Sequence, residues 1–234
     1  MQKYLSVFNK LIVLFMVFFT FSAKSGVAII GSRVIYNERY PKQTISVYNL
    51  NDYPVLIQSW IDNGDVDTMP DHVSQTPLIV SNPVFRLAPK EKTTIRIIKI
   101  AKMKIKQEEQ YFLNFYEVPP IEKKTNDDNS LLVTMRTQFK LFYRSNELGA
   151  KLLEPLDFKF INNELTVINK TPYFVVAKKI IMSSNNGKTI EKNVGDLFPY
   201  AKINLGKVSL PVKAIQYIYL DDDGNDVFVE SNPR

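Results

Sequence analysis

The segment 131–144, "LLVTMRTQFKLFYR", separates an apolar face from a cationic face when it is read with a period of two. This alternation predicts a β-strand, because successive side chains of a strand point to opposite sides of a sheet. An edge strand with so long an apolar face is an aggregation hazard unless another protein covers it. The odd positions are Leu131, Val133, Met135, Thr137, Phe139, Leu141 and Tyr143, and the even positions include Arg136, Lys140 and Arg144.

The rest of the chain also predicts strands, since short runs rich in β-branched and aromatic residues alternate with turn clusters such as "NLNDYP". The pattern breaks at "SNELGAK" (145–151) and then resumes. We therefore expect an all-β protein of two β-sandwich domains, residues 26–147 and 148–234. Trp60, the only tryptophan, is expected to fill a sandwich core.

The first 25 residues predict a secretory signal peptide. Lys3 and Lys10 precede or border the apolar run "LIVLFMVFFTF" (11–21), and small residues follow it, so we expect cleavage before Gly26. The run is too short to cross a bilayer, which needs about 20 residues, so no membrane insertion of the mature chain is expected. Loss of three lysines lowers the formal net charge from +6 to +3.

Several classes of function are disfavoured by composition. The basic residues are dispersed among acidic ones, so nucleic-acid binding is not expected. Cysteine is absent, which removes disulfides, thiolate chemistry and cysteine-based metal sites. His72 is the only histidine and lies in a polar loop. We expect no catalytic residues, no metal and no cofactor, and we find no phosphate-binding loop of the P-loop type.

Four stretches together resemble the periplasmic pilus-assembly chaperones of the PapD-like family, which serve the chaperone–usher pathway. They are "GSRVIYNE" (31–38), "YFLNFYEVPP" (111–120), "TQFKLFYR" (137–144) and "NKTPYFV" (169–175). Their order and spacing agree with the family over nearly the whole mature chain. The resemblance implies two immunoglobulin-like β-sandwich domains in an L or boomerang arrangement with a cleft between them.

The resemblance also implies roles for individual residues. Leu131, Val133 and Met135 would be the donor-strand residues that fill the groove of an incomplete pilin by β-augmentation, whereas Phe139 and Leu141 would belong to the chain's own core. Arg33 and Lys140 would bind the carboxylate of the subunit's C terminus. Glu117, Arg144 and Asp221 would form an ion network between the domains, with Asp222 and Asp223 as open alternatives to Asp221. The short loop 119–129 resembles that of the subfamily serving rod-like pili.

The expected function is that of a periplasmic chaperone without enzymatic activity. It would bind, fold and cap pilus subunits and deliver them to an outer-membrane usher, and the free protein could cap itself as a dimer. The alternatives are a structural pilus subunit or adhesin, or another secreted β-sandwich binding protein. A secreted hydrolase is the remaining class, although no recognisable carboxylate pair supports it.

Overall fold

The computed structural model describes residues 26–67, 75–101, 103, 105–120, 133–149, 151–209 and 211–231. The predicted signal peptide, His72, Leu131 and most of the loop 119–129 lie outside these residues. Within the described ranges all regular elements are β-strands, and no helix that could cross a membrane occurs there. The all-β prediction is confirmed.

The first sandwich consists of two facing sheets. One sheet contains, in spatial order, β1 (Val27–Ile29), β3 (Lys42–Asn49), β7 (Lys92–Lys99) and β5 (Leu78–Val80). The other contains β2 (Arg33–Asn37), β9 (Met135–Arg144), β8 (Glu109–Val118), β4 (Val55–Asp62) and β6 (Val84–Leu87). Neighbouring strands are antiparallel except for β2 and β9, which are parallel. The buried side chains of the two sheets form one hydrophobic core, whose members run from Val27 to Tyr143 in the sequence.

The second sandwich has its own core, which runs from Leu156 to Tyr217. Its smaller sheet contains β10 (Leu156–Ile161), β11 (Glu164–Asn169) and β14 (Lys202–Lys207). Its larger sheet contains β13 (Thr189–Leu197), β12 (Val175–Ser183), β15 (Ala214–Leu220) and β16 (Asp226–Ser231). Two separate cores confirm the prediction of two sandwiches, while the boundary between residues 147 and 148 stays a prediction.

The chain changes sheets between β1 and β2. A bend at residues 30–32 separates the two strands, and Gly31 at its centre has φ +90°, a left-handed conformation that glycine adopts at little cost. Because of this bend, β2 pairs with β9 instead of continuing in the sheet of β1. The register of that parallel pair places Arg33 opposite Lys140 and Val34 opposite Leu141.

The apolar face of β9 extends beyond the core of the first sandwich. Leu141 and Tyr143 are fully buried, and Phe139 packs against the core, as predicted for Phe139 and Leu141. Farther toward the N-terminal end of the segment the same face becomes exposed, to 43% at Met135 and 68% at Val133. The strand therefore has an inner half that belongs to the core and an outer half that does not.

Trp60 is buried as expected, but its environment differs from the prediction. Side chains of β4 alternate, so Ile57 and Ile61 enter the core while Trp60 lies on the opposite face of the sheet. There its ring contacts the guanidinium of Arg136, with 4.9 Å between the guanidinium carbon and the ring centroid.

Candidate functional site

The outer half of β9 has an open backbone edge. β2 pairs only with residues 140–144 of β9, and β8 pairs with β9 on its other side from residue 135 onward. In the described part of the chain, residues 135–139 therefore have a strand partner on one side only. Val133 and Met135 lie at this open half, whereas Leu131 lies outside the described residues. Unpaired backbone groups at such an edge can accept an additional strand.

Arg136 fixes the outer half of β9 to the sheet. Its Nη2 donates to Asp62 Oδ2 at 2.9 Å, and its Nε donates to Asn114 Oδ1 at 3.1 Å. The ring of Trp60 covers the other side of the guanidinium, and a cation over an aromatic face is attracted to it. The open edge is therefore held by side chains on its outward face, although it lacks a second strand.

The structure brings together the two cations predicted to bind a carboxylate. Arg33 and Lys140 are register partners on neighbouring strands and point away from the core. The guanidinium of Arg33 lies 6.0 Å from the ring centroid of Phe142, and Nε of Arg33 is buried without a hydrogen-bond partner in the described residues. Lys140 forms an ion pair with Asp196 of β13. Burial lowers the pKa of Arg33, and the charge of Asp196 partly opposes this shift.

The ion network between the sandwiches contains Arg144, the unpredicted carboxylate of Glu108 and Asp222, which was one of the open alternatives to Asp221. Arg144 Nη2 and Nε donate to Glu108 Oε1 at 2.8 and 3.0 Å. Arg144 Nη1 and Nη2 donate to the two oxygens of Asp222 at 2.7 and 3.0 Å. Lys151 Nζ also donates to Asp222, at 2.5 Å. The carboxylates of Glu108 and Asp222 thus accept four hydrogen bonds from one guanidinium. Such hydrogen bonds between ionised groups are among the strong ones.

The predictions for Glu117 and Asp221 are corrected by their contacts. Glu117 lies near the far end of β8 and accepts a hydrogen bond from the amide of Val27 at 2.8 Å. Asp221 stabilises its own turn, because its Oδ1 accepts from the amides of Asp223 and Asn225 at 3.0 and 2.8 Å. Aspartate is suited to this use, since it can hydrogen-bond to nearby backbone amides. The next residue, Asp222, is then the one that reaches Arg144.

Electrostatics in the network follow from burial and pairing. Burial raises the pKa of Glu108, although the charge of Arg144 opposes this shift. Burial alone would also raise the pKa of Asp222, yet hydrogen bonds from Arg144 and Lys151 outweigh it and hold the pKa well below its usual range. Burial would lower the pKa of Arg144, but Asp222 and Glu108 raise it. Arg144 and Asp222 are therefore both charged at neutral pH.

Backbone and aromatic contacts accompany the network. The amide of Glu108 donates to Pro172 O at 2.7 Å, and the amide of Phe174 donates to Glu108 Oε2 at 2.9 Å. The rings of Phe142 and Phe174 lie 5.2 Å apart between centroids. Glu108 is thus tied to both sandwiches. It was missed because adjacent glutamates at 108 and 109 carry no periodic signal, although antiparallel pairing of β8 and β9 places this end of β8 beside Arg144.

No group of histidine, cysteine and acidic side chains suited to a metal ion occurs among the described residues.

Comparison with known proteins identifies the family of the chain. Residues 26–149 match the family model described as "Pili and flagellar-assembly chaperone, PapD N-terminal domain". The chain is 33% identical over 212 residues to the chaperone protein FimB/FhaD of Bordetella pertussis, covering 87% of this chain and 86% of the relative.

Two solved structures share the fold. The Pseudomonas aeruginosa CupB2 chaperone has a TM-score of 0.72 and 26% identity, covering 88% of this chain and 100% of that chain. The Salmonella enterica SafB chaperone, solved in complex with the SafA pilin, has a TM-score of 0.69 and 23% identity, covering 91% of this chain and 98% of that chain.

We expect replacement of Asp222 by asparagine to reduce stability at neutral pH, and to reduce it progressively less as pH falls below about 3.9, the usual pKa of an aspartate. The depressed pKa of Asp222 means that its carboxylate stabilises the fold above its unfolded pKa, and that this contribution disappears as pH falls through the folded pKa. The loss at pH 7 should be roughly 1 kcal/mol, as for other partly exposed ion pairs. Urea unfolding at pH 7, pH 4 and pH 2 measures it.

The matched control is Asp223→Asn, which removes the neighbouring exposed carboxylate. Equal losses in the two variants at pH 7, or a loss for Asp222→Asn that is as large at pH 2 as at pH 7, would contradict the assigned network.

Proposed function

The chain belongs to the family of pili and flagellar-assembly chaperones, and from this premise we propose that it binds, folds and caps pilin subunits by lending them a strand. The family consists of non-enzymatic chaperones, which confirms the expectation that the chain is not an enzyme. The same assignment leaves no support for a structural pilus subunit, an adhesin or a hydrolase.

The observation that carries the proposal is the open outer half of β9. It presents exposed apolar side chains at two-residue spacing beside an unpaired backbone edge. A pilin that lacks one strand of its own sandwich could pair with this edge and receive Val133 and Met135, with Leu131, in its groove. SafB, which shares the fold, was solved in complex with a pilin, and this supports the same class of partner here.

Side-chain burial alone is a marginal driving force for this interaction. Each donated side chain contributes roughly 1.5–3 kcal/mol when it is fully buried, so three contribute about 5–9 kcal/mol. Association itself costs about 4–15 kcal/mol. Backbone hydrogen bonds along the edge and a polar anchor must therefore add to the affinity.

We assign the anchor to Arg33 and Lys140, which would bind the carboxylate at the C terminus of the subunit. The buried Nε of Arg33 has no partner in the described residues, so the guanidinium has an unused donor. Ionic hydrogen bonds are worth about 1.5–3 kcal/mol each. A fixed terminus also sets the register, and register matters because a slip of one residue would turn every side chain to the wrong face.

The cellular setting belongs to the same proposal. Export with cleavage before Gly26 would place the chaperone in the periplasm, where it would deliver its subunits to an outer-membrane usher. A free chaperone could also cover its open strand by forming a self-capping dimer. The apolar exposure of Val133 and Met135 supports a need for such protection.

We expect Lys140→Ala to reduce affinity for a pilin of the same pilus by about 10- to 100-fold, because an ionic hydrogen bond to the terminal carboxylate is lost. The fold should persist, since Lys140 is partly exposed. Binding of purified pilin complexes and urea unfolding of the free variant measure the two effects. Lys178→Ala, which removes another ion-paired lysine, is the control, and unchanged pilin binding by Lys140→Ala would refute the anchor.

We expect Val133→Asp to weaken pilin binding by at least about tenfold, because a carboxylate would be buried in the apolar groove. The unfolding midpoint of the free chaperone should not change, since Val133 is largely exposed. Competition binding and thermal unfolding test both expectations. Ile161→Asp places the same change on an exposed position of the second sandwich, and equal effects of the two variants on pilin binding would exclude the donor-strand assignment.

A further inference from the structure

Asp196 supplies a carboxylate to the proposed anchor from the opposite sandwich. It lies in β13 and pairs with Nζ of Lys140, a residue of β9. Both side chains keep partial access to solvent, at 37% for Lys140 and 30% for Asp196. In the absence of a subunit, the ammonium group of Lys140, which is proposed to bind a terminal carboxylate, therefore already pairs with the carboxylate of Asp196.

A change in strand alternation aims Asp196 at the anchor. Ile190 and Val194 of β13 pack against the second core, so simple alternation would send residue 196 inward as well. Instead Leu197 is fully buried in the core. Gly195 has φ +94° at the point where the alternation changes, a conformation that is strained for other residues. The strand thus turns Leu197 into the core and Asp196 toward the first sandwich.

Arg33 lies within the field of the same carboxylate. Among the acidic groups that act on its guanidinium, Asp196 has the largest effect, ahead of Asp222. Arg33 and Lys140 therefore both interact with Asp196 of β13. Asp196 contacts Lys140 directly as an ion pair, and it acts on Arg33 through its charge. Because the pair is partly solvated, its exchange for another carboxylate has a low desolvation cost.

We propose that Asp196 is an internal competitor for the anchor, which a subunit's terminal carboxylate must displace from Lys140. This inference rests on the proposed function. It makes subunit binding an exchange of one ion pair for another, so the anchor selects carboxyl termini while its net contribution to affinity stays moderate. A moderate contribution keeps the bound subunit releasable.

The test compares Asp196→Asn with the parent chaperone, using a synthetic peptide of the pilin's C-terminal strand. The peptide is prepared with a free carboxyl terminus and with an amidated one. Removing the competitor should tighten binding of the free-acid peptide by about 2- to 5-fold, the range set by partly exposed ion pairs, and should leave the amidated peptide unchanged. Asp226→Asn is the matched control, since Asp226 pairs with Lys178 in the second sandwich.

Weaker or unchanged binding of the free-acid peptide by Asp196→Asn overturns the inference, and so does equal tightening of both peptides. The variant Lys140→Ala distinguishes a failure of the competitor role of Asp196 from a failure of the anchor role of Lys140. If it weakens binding of the free-acid peptide while Asp196→Asn does not tighten it, only the competitor is wrong. If it has no effect on that peptide, the anchor in the proposed function fails.

A second observation concerns Glu117, a buried carboxylate next to the predicted cleavage point. Glu117 is 4% exposed, and no cation pairs with it among the described residues. Its Oε1 accepts from the amide of Val27 at 2.8 Å, while the Gly26 nitrogen donates to Asn51 Oδ1 at 2.9 Å. Gly26 has φ +101°, and a Cβ there would lie 2.6 Å from Cε of Met135.

We infer that cleavage before Gly26 supplies the missing counter-charge, because it creates an ammonium group beside the carboxylate of Glu117. The resulting ion pair would fix the start of β1 beneath Met135, one of the proposed donor residues. Cleavage of this bond would then form an ion pair next to Met135, the first residue of β9. Removing one partner of a buried ion pair is strongly destabilising, because it leaves an uncompensated buried charge.

A double-mutant cycle tests this ion pair. One form begins at Gly26, and the other carries Gly-Ser ahead of Gly26, which keeps the amide but moves the ammonium away. Glu117→Gln is introduced into both, and urea unfolding gives each equilibrium constant. The two changes should be coupled on the order of 10- to 100-fold. Additive effects, or an exported protein that mass spectrometry shows to begin at another residue, overturn the inference.

Discussion

The apolar face of β9 is longer than the core that it enters, and the rest of the structure depends on this mismatch. The inner half of the strand is fixed on both sides, by β2 and by β8, and its side chains Leu141 and Tyr143 are buried. The outer half keeps β8 as its neighbour but extends past the core. A strand anchored in this way stays extended at its outer half. The conformational entropy of ordering this half is therefore lost when the chain folds, and it is not lost again when a partner binds.

On the inner half of the same strand, the outward face carries two cations with different physical roles. Arg144 is gripped by Glu108 and Asp222 through several hydrogen bonds, and Glu108 is almost fully buried at 2% exposure. Lys140 has a single carboxylate partner, and both groups are partly solvated. A planar guanidinium suits permanent bidentate pairing, whereas an ammonium is a compact charge that can change partners. The first therefore joins the sandwiches, and the second is available for exchange.

Sequence periodicity predicted the fold well because burial in a strand follows a simple rule. The alternation in segment 131–144 placed Phe139 and Leu141 on the apolar face, and the four motifs identified the family. The partners of Arg144 could not be read in this way. Glu108 and Glu117 lie near opposite ends of β8, about 30 Å apart along an extended strand, and only the antiparallel register with β9 decides which one meets Arg144.

An internal similarity between the domains was also missed. In each sandwich the last residue of a strand, Asn49 of β3 or Asn169 of β11, spans the following turn with its side-chain amide. Asn49 donates to Tyr53 O at 2.9 Å, and Asn169 donates to Tyr173 O at 2.7 Å. The segments "NLNDY" and "NKTPY" share only the first and last residues. So short a match has no statistical weight in a sequence, and it becomes visible only when the hydrogen bonds are compared.

In the proposed function, the spacing between the proposed anchor and the proposed donor residues would decide which subunits fit. Lys140 and Val133 are seven positions apart, which corresponds to about 23 Å in an extended strand. A terminal carboxylate bound at Lys140, as proposed, would therefore fix which part of a subunit's groove meets Val133. Backbone hydrogen bonds at the open edge do not depend on side-chain identity, so they cannot supply this selectivity. Selectivity would then come from the distance between the charge of Lys140 and the apolar face that begins at Met135, and the register of β2, β9 and β8 sets this distance.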